Sequence, residues 1–217
     1  MPEPKLWSDG PKRHAPATLR NREPIRDTLA TLLPSKAGVL EVGAGTGEHA
    51  VFFSRALPHL TWQPTDADPE LIASIAAYAM EADLPNLRPP LMLDAGTQSW
   101  QPALADEVFD AVVSINMIHI APWCACVGLI AGAAAVLRQG GLLILYGPFM
   151  VDGRHTAPSN AAFDHSLKAM DARFGVRDVA EVVAAAHAFR LTHRLPMPAN
   201  NLTLVFARDG DASQRTG

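Results

Sequence analysis

The chain has 217 residues, of which 48% are hydrophobic, which is enough for one α/β domain with a sizeable core. Its formal net charge of −4 includes no long run of either sign, which argues against a nucleic-acid-binding protein because such proteins usually carry a basic face. Two cysteines are too few for a disulfide framework, no apolar stretch is long enough to span a membrane, and the first residues lack a signal-peptide core. We therefore expect a cytoplasmic protein that binds neither nucleic acid nor membranes.

The N-terminal part of the sequence predicts an arm followed by a helix. Residues 1–17 are rich in proline and charge, which favours an extended arm. The next apolar residues have helical spacing, and Pro24 fits the first turn of a helix but not its middle, so we expect this helix to begin near Glu23. A single domain is expected over residues 18–208, with a disordered tail over 209–217.

Strands and helices are then predicted to alternate. Short apolar runs predict strands at 38–42, 60–65, 90–95, 109–116 and 141–147, and helical spacing predicts helices at 48–57, 69–82 and 124–138. The pair Gly140 and Gly141 is expected to end the last of these helices. This alternation, with strands that are apolar on both faces, predicts a parallel sheet with helices on either side.

The C-terminal part departs from this alternation. Two helices are predicted at about 160–173 and 178–188. Two strands at 189–197 and 201–208 follow, separated by the turn sequence "PANN". We expect them to form an antiparallel hairpin at the edge of the sheet.

The sequence "VLEVGAGTGEHA" at 39–50 leads from the first strand through Gly43, Gly45 and Gly47 into a helix. We call residues 43–47 the glycine loop. Glycines allow sharp turns and a close approach of a ligand to the main chain, and ligands of doubly wound sheets bind beyond the carboxyl ends of the strands. We therefore expect a nucleotide-like ligand at this loop.

Two ligand classes compete for a loop of this kind, and its acidic residues favour one of them. A dinucleotide loop has the spacing G-x-G-x-x-G, with a pyrophosphate at the helix N-terminus. Here the spacing is G-x-G-x-G, Glu48 takes the sixth position and Glu41 lies at the end of the strand, so a phosphate would be repelled. S-adenosylmethionine has no phosphate and carries a sulfonium and an ammonium, so it fits better.

Carboxylates also lie at the ends of the second and third predicted strands. Asp66 is placed to accept hydrogen bonds from both ribose hydroxyls of a nucleoside, and Asp94 to meet an adenine amino group. Because the carboxyl ends of parallel strands meet at one edge of a sheet, Glu41, Asp66 and Asp94 are expected to lie at the same edge.

The sequence resembles the class I S-adenosylmethionine-dependent methyltransferases in "VLEVGAGTG" and in the acid at Asp66. Further blocks of the sequence are similar to the methyltransferase-like 26 subfamily, and the likeness runs over residues 12–208. These blocks are "WQPTDAD", "INMIHI", "YGPF", "SNAAFD", "GVRDV" and "MPANNLTLVFAR". The resemblance implies a Rossmann-like, doubly wound α/β fold with a seven-stranded, mostly parallel sheet and an antiparallel C-terminal hairpin. It implies S-adenosylmethionine as cofactor, with contacts at Glu41, Gly43, Gly45, Asp66 and Asp94. The predicted cofactor contacts also include Ala44, Gly47, Ala95 and Asn116.

Methyl transfer is an in-line displacement at a sulfonium, so the enzyme mainly aligns and desolvates the reactants and needs a general base only for a protonated acceptor. The acceptor is expected beyond the fourth and fifth strands. There His119 is the candidate general base, because histidine titrates near neutral pH, and Tyr146 is a second catalytic candidate. The alternative for His119 is a histidine bonded to the main chain.

Residues near these strand ends are predicted to bind the substrate, which we expect to be a small molecule. A stretch without apolar period follows the fifth strand, and long loops in compact domains are often lids or binding loops. Trp123 is either an aromatic wall of the pocket or an ordinary packing residue, and Arg22 holds either an anionic substrate or the cofactor carboxylate. The predicted substrate-binding residues are Arg22, Met117, Trp123, Phe149, Asn160 and Asp164.

A zinc site at His119, Cys124 and Cys126 is not expected, because residues two apart on a helix point in different directions and a fourth ligand is missing. The sequence therefore favours an enzyme that methylates a small molecule. Two alternatives stay open, a non-catalytic protein that binds S-adenosylmethionine and an oxidoreductase that binds NAD or NADP. A homodimer is the oligomeric state that we consider.

Overall fold

The structure is a computed structural model that describes residues 12–97 and 100–209, without the side chains of residues 101 and 102. The chain falls into two compact units, Met1–Asp94 and Ala95–Gly217. Most of the predicted N-terminal arm and of the predicted tail lies outside the described residues, and the single domain stays a prediction. Within the described part of the chain, no helix has both the length and the apolar character that crossing a bilayer requires.

The first unit alternates helices with strands. Its described helices are α1 (Pro16–Leu32), α2 (Glu48–Ala56) and α3 (Pro69–Ala82), and its described strands are β1 (Ala37–Val42), β2 (Leu60–Asp66) and β3 (Leu91–Met92). β2 pairs in parallel with both β1 and β3. Phe53 of α2 and Trp62 of β2 are fully buried and pack with their ring centres 5.3 Å apart, so helix and sheet share one core.

The second unit contains the remaining elements. The helices described there are α4 (Gln101–Leu104), α5 (Trp123–Val136), α6 (Pro158–Met170) and α7 (Val179–Ala185), with 3₁₀ turns at Met117–His119 and Pro198–Asn200. The strands described there are β4 (Phe109–Ile115), β5 (Leu137–Gly147), β6 (Phe149–Val151), β7 (Arg154–His155), β8 (Arg177–Asp178), β9 (Phe189–Met197) and β10 (Asn201–Arg208).

The large sheet has seven strands in the order β3-β2-β1-β4-β5-β10-β9. β4 and β5 are parallel, whereas β10 runs antiparallel to both β5 and β9. This topology confirms the predicted Rossmann-like α/β fold with a mostly parallel sheet. It also confirms the C-terminal hairpin, whose two strands have the predicted bounds.

Helix α1 differs from the prediction, because it begins at Pro16 rather than near Glu23 and contains Pro24 in its interior. Four of its residues are buried at helical spacing: Thr18, Asn21, Ile25 and Leu29. Burial of this face outweighs the roughly 3 kcal/mol that an internal proline costs. The last two residues of the predicted arm are therefore helical.

Two further elements, β3 and α5, have bounds that differ from the prediction. β3 is confined to Leu91–Met92 rather than spanning 90–95. Helix α5 ends at Val136, and β5 begins at the next residue because Leu137 pairs with Phe109 of β4. The glycine pair that was expected to end the helix therefore lies within β5, beside an irregularity in the β4–β5 register.

The segment after β5 is not the irregular loop that the sequence predicts. Strands β6, β7 and β8 form a second, small sheet in the order β7-β6-β8. Asp178, at the end of β8, accepts a hydrogen bond at 2.7 Å from the main-chain N–H of Gly153, in the turn between β6 and β7. The small sheet depends on pairing Phe149 with Arg177, and local periodicity gives no sign of a partner so distant in the sequence.

Candidate functional site

The glycine loop connects β1 to α2, and its main-chain N–H groups are bonded within the first unit. The N–H groups of Gly43 and Ala44 donate to the carbonyl oxygen of Thr65, at 3.1 and 2.9 Å. The N–H of Gly45 donates to the carboxylate of Asp66 at 2.8 Å. These bonds tie the loop to the end of β2, and they use donors that a phosphate would need.

Gly45 and Gly47 serve different purposes, although both have a positive φ, +58° and +91°. A Cβ on Gly47 would lie 2.7 Å from the Cα of Ile75 in α3, whereas a Cβ on Gly45 would meet nothing within 4 Å. Glycine is therefore required at position 47 for the packing of α2 against α3. At position 45 the missing side chain leaves open space beside the main chain, where a ligand can approach.

We expect Gly47→Ala to lower the free energy of unfolding by roughly 2–4 kcal/mol, because the new Cβ combines an unfavourable φ with a clash against α3. Gly45→Ala is the matched control, since it carries a φ penalty of roughly 1–2 kcal/mol without the clash. Urea denaturation of both variants measures the difference. Equal losses would show that Ile75 does not constrain position 47.

Asp66 lies at the carboxyl end of β2, as the sequence predicts, and is 7% exposed. One carboxylate oxygen accepts the hydrogen bond from Gly45, and the other accepts one from the N–H of Asp68 at 3.0 Å. Burial raises the pKa of Asp66 above its ordinary value, although its main-chain hydrogen bonds oppose this effect. A partly desolvated carboxylate bonded to the glycine loop is a strong acceptor for ligand hydroxyl groups.

Glu41 is buried in β1, with 1% of its surface exposed. Its Oε2 accepts a hydrogen bond at 2.7 Å from the indole Nε1 of Trp62. Burial raises the pKa of Glu41 to about 8, the hydrogen bond from Trp62 lowers it, and the charge of Asp66 raises it further. The carboxyl group is therefore largely protonated at neutral pH, and its contact with a cofactor stays a prediction.

Asp94 ends the first unit and is exposed. Leu93 donates its N–H to the carbonyl oxygen of Asp66 at 2.9 Å, which holds the segment after β3 beside the end of β2. Ala95 begins the second unit, and its carbonyl oxygen packs against α5, where a Cβ on Gly128 would lie 2.0 Å from it. The predicted cofactor contacts of Asp94 and Ala95 stay predictions.

Glu48, the first residue of α2, is held by the segment before α1. Its carboxylate accepts hydrogen bonds from the N–H of Ala15 at 2.8 Å and from the hydroxyl of Thr46 at 3.0 Å. It also pairs with Nδ1 of His14 at 2.5 Å. No sequence pattern predicted this contact. The carboxylate occupies the first turn of α2, where dinucleotide loops hold a pyrophosphate, which strengthens the objection to a phosphate ligand.

Arg22 of α1 lies against α2. Its guanidinium carbon is 4.7 Å from the centre of the Phe52 ring, and its Nε is buried without a hydrogen-bond partner among the described residues. The neighbouring Asn21 binds His49, with Oδ1 and Nε2 separated by 2.8 Å. Burial, aided by the charge of Arg22, lowers the pKa of His49 to about 3, so this histidine is neutral.

In the second unit, Asn116 and Met117 follow β4 at its carboxyl end, as predicted. Asn116 has a φ of +61°, and its N–H donates to the carbonyl oxygen of Tyr146 at 2.8 Å. Asn116 and Met117 are half-buried, whereas Tyr146 is buried in β5. Three roles stay predictions: the cofactor contact of Asn116, the substrate contact of Met117 and the catalytic role of Tyr146.

His119 is fully buried at the carboxyl end of β4. Its ring is 0% exposed and packs edge-on against Phe149, with ring centres 5.0 Å apart. Burial, followed by the charge of Arg177, lowers the pKa of His119 to about 3. Nδ1 accepts a long 3.4 Å hydrogen bond from the N–H of Arg177, and Nε2 fills the space that a side chain on Gly147 would need. These contacts favour the alternative, a histidine bonded to the main chain, and the catalytic role of His119 stays a prediction.

Arg177, for which the sequence predicted no role, holds the turn that carries His119. Its guanidinium donates to the carbonyl oxygens of Ile118 at 3.0 Å and of Ala121 at 2.7 Å. The same group lies 5.6 Å from the centre of the Trp123 ring. Trp123 therefore has a packing partner, which favours the second of its two expected roles.

Phe149 and Asn160 are used to hold the second unit together. Phe149 is fully buried beside His119. The side-chain amide of Asn160 donates to the hydroxyl of Thr156 and to the carbonyl oxygen of Asn200, both at 2.9 Å, which ties α6 to the C-terminal hairpin. These contacts give both residues a structural role, and their predicted contact with a substrate stays a prediction.

Asp164 is likewise a structural residue. Its carboxylate accepts hydrogen bonds from the N–H of Val176 at 2.8 Å and from Lys168 at 2.7 Å. Burial alone would raise the pKa of Asp164, but the hydrogen bonds from Lys168 and Val176 and the charges of Lys168 and His155 bring it below its ordinary value. The carboxylate with these partners anchors α6, and its predicted contact with a substrate stays a prediction.

Solved structures of methyltransferases have the same fold as this chain. An O-methyltransferase family protein from Burkholderia thailandensis is 18% identical, with a TM-score of 0.71 over 90% of this chain and 58% of its own. The mitomycin 7-O-methyltransferase MmcR is 15% identical, with a TM-score of 0.72 over 89% and 54%. CalO1, a methyltransferase in calicheamicin biosynthesis solved with S-adenosylhomocysteine bound, is 19% identical, with a TM-score of 0.64 over 84% and 52%. The chain has the class I methyltransferase fold and spans little more than half the length of these neighbours.

The chain belongs to the family described as "Protein of unknown function (DUF938)", which matches residues 12–208. The match begins in the segment that binds Glu48 and ends at the last residue of β10. It therefore includes the glycine loop and the acids Glu41, Asp66 and Asp94, as well as the small sheet of the second unit.

Proposed function

We propose that this protein binds S-adenosylmethionine at the glycine loop and transfers its methyl group to a small molecule. The class I methyltransferase fold supports the proposal, as does a neighbour of that fold that contains S-adenosylhomocysteine, the demethylated cofactor. A neighbour named for its action on mitomycin supports a small-molecule acceptor. Membership of the methyltransferase-like 26 subfamily, which the sequence resembles, is part of the proposal.

The contact between Asp66 and the glycine loop carries the proposal. The buried carboxylate bonds to the main-chain N–H of Gly45 at 2.8 Å, so the acid and the loop form one continuous surface. A nucleoside on that surface would present its two ribose hydroxyls to the carboxylate, each in a charge-assisted hydrogen bond. Asp94, exposed after β3, adds an acidic group that suits a ligand with cationic sulfonium and ammonium groups.

A dinucleotide is a poorer occupant of the same loop. The N–H groups of Gly43, Ala44 and Gly45 already donate to the end of β2. The first turn of α2 carries the carboxylate of Glu48, which would repel a pyrophosphate. These two observations support S-adenosylmethionine over NAD or NADP.

The proposed reaction requires little acid–base catalysis from the protein. The thioether is a good leaving group, so alignment of the acceptor with the methyl carbon and exclusion of water supply most of the rate enhancement. His119, buried and neutral, is not assigned a proton-transfer role. Tyr146 stays the catalytic candidate from the sequence.

Incubation of the purified protein with S-adenosylmethionine and a metabolite extract tests the proposal. We expect mass spectrometry to detect S-adenosylhomocysteine together with a product that is heavier by one CH₂ group. A protein that binds S-adenosylhomocysteine but converts no cofactor in any extract would be the non-catalytic alternative.

A thermal-shift comparison separates the cofactor classes before any substrate is known. A ligand at a hundred times its Kd raises the free energy of unfolding by about 2.7 kcal/mol, which is readily measured. We expect this stabilisation from S-adenosylhomocysteine and not from NAD or NADP. The homodimer and cytoplasmic location expected from the sequence are also part of the proposal, and light scattering tests the homodimer.

A further inference from the structure

Residues 12–15, which we call the strap, precede α1, and each of them contacts a later part of the first unit. Lys12 pairs with Glu81 and Arg13 with Glu70, and both glutamates are exposed on α3. Exposed ion pairs contribute little to stability, so these two pairs hold the strap only weakly.

Two less exposed side chains join the strap to the glycine loop. The hydroxyl of Ser74, in α3, accepts a hydrogen bond from the main-chain N–H of Arg13 and donates one to the carbonyl oxygen of Thr46, both at 2.8 Å. The carboxylate of Glu48 accepts hydrogen bonds from the N–H of Ala15 at 2.8 Å and from the hydroxyl of Thr46 at 3.0 Å. Ser74 and Glu48 therefore each bind the strap on one side and Thr46 on the other.

Thr46 is the residue of the glycine loop that follows Gly45, and it is 4% exposed. The main-chain N–H of Gly45 donates to the carboxylate of Asp66, the proposed acceptor for the ribose hydroxyls. A displacement of Thr46 moves the adjacent Gly45 and with it the donor that orients Asp66. The strap therefore helps to fix the surface on which the cofactor is proposed to lie.

Ser74 can affect a ligand only through the loop, because it is 0% exposed and touches no solvent-accessible surface. When the strap leaves, the hydroxyl of Ser74 loses the N–H of Arg13 and the carboxylate of Glu48 loses the N–H of Ala15. Water replaces a donor poorly at a buried group, so the loop is held best while the strap is attached.

We infer that Ser74 is a positioning residue that couples attachment of the strap to binding of the cofactor at the glycine loop. The inference rests on the proposed function, since it concerns the same loop. Coupling between two binding events is reciprocal. A strap that holds the loop in its binding conformation raises the affinity for the cofactor, and a bound cofactor holds the strap in place by the same factor.

Hydrogen exchange in the wild-type protein tests this reciprocity. The N–H groups of Arg13 and Ala15 report on the strap directly, because both are donors in its contacts. Under conditions of local opening, we expect saturating S-adenosylhomocysteine to slow their exchange roughly threefold to tenfold. The N–H of Leu33, at the other end of α1, should exchange at an unchanged rate.

Calorimetric titration of Ser74→Ala with S-adenosylhomocysteine tests the coupling from the other side. The control is Asn86→Ala, because the amide of Asn86 donates to the carbonyl oxygens of Ser54 and of Leu60, the first residue of β2, both at 2.9 Å. We expect Ser74→Ala to bind roughly threefold to tenfold more weakly and to lose the slowed exchange at Ala15. Asn86→Ala should be less stable and match the wild type in both measurements.

Two results overturn the inference. The first is unchanged exchange of Arg13 and Ala15 when the wild type is saturated with S-adenosylhomocysteine, a result that decides the question even where Ser74→Ala does not fold. The second is a Ser74→Ala variant that matches Asn86→Ala in affinity and in exchange, because Ser74 would then merely support the fold.

Failure of the inference can be told from failure of the proposed function. A wild-type protein that does not bind S-adenosylhomocysteine refutes the cofactor, and the coupling falls with it. A wild-type protein that binds this compound while the exchange of the strap stays unchanged refutes the coupling alone.

Discussion

Replacing Asp66 with alanine is expected to weaken the binding of S-adenosylhomocysteine by roughly a hundredfold or more. The carboxylate would accept hydrogen bonds from both ribose hydroxyls, and each bond to a charged group contributes roughly 1.5–3 kcal/mol. Burial makes the loss larger than at an exposed site, because water cannot replace the missing acceptor. Isothermal titration calorimetry measures the effect directly.

Asp68→Ala is the control for this prediction. Asp68 lies two residues from Asp66 and is exposed, and its side chain caps α3 by accepting a hydrogen bond from the N–H of Glu70 at 2.8 Å. Its loss should cost about 1 kcal/mol of stability and leave the affinity for the cofactor unchanged. An Asp66→Ala variant that binds as tightly as the wild type would contradict the proposed position of the ribose.

Replacing Glu41 with glutamine is expected to change how stability depends on pH. In the folded protein Glu41 holds its proton up to about pH 8, whereas the ordinary value is 4.5. Between these pH values the folded state binds more protons than the unfolded state, so the free energy of unfolding falls as the pH rises. The contribution of Glu41 is fully present below pH 4.5 and is lost as the pH rises through 8. Glutamine cannot ionise and removes this dependence.

We expect the wild type to lose roughly 3–5 kcal/mol of stability across this window relative to Glu41→Gln. Urea denaturation at several pH values measures the difference between the two slopes. Glu181→Gln, at an exposed glutamate in the first turn of α7, should follow the wild-type curve. Parallel curves for the wild type and Glu41→Gln would show that Glu41 is ionised in the folded protein.

Much of the fold could be predicted because its signals are local. Helix α3 has its predicted bounds, since Asp68 caps it and Pro69 occupies its first turn. The C-terminal hairpin also has its predicted bounds, since two apolar runs flank a turn sequence. In these segments local preference and tertiary packing agree.

The errors arise where a distant partner decides the structure. In α1 the local penalty of Pro24 is outweighed by burial of the face that contains Ile25 and Leu29. In the segment after β5 the small sheet depends on the pairing of β6 with β8. Helix α6 separates these two strands in the sequence. Periodicity within a short window cannot detect either effect.

The features of the candidate site also separate into those with a local signal in the sequence and those that depend on a distant partner. The loop and the acid at Asp66 could be predicted because a glycine pattern and a strand end are visible in the sequence. The hydrogen bond between Glu41 and Trp62 could not be predicted, because the pairing of β1 with β2 brings Trp62 to Glu41. The burial of His119 could not be predicted either, because it follows from packing against Phe149, a residue distant in the sequence.

A crystal structure of the protein with S-adenosylhomocysteine is the most direct test. The account predicts that the nucleoside lies against the main chain at Gly45, with both ribose hydroxyls within hydrogen-bonding distance of the Asp66 carboxylate. A ribose bound away from Asp66, or crystals that take up a dinucleotide at the glycine loop and not this compound, would contradict it.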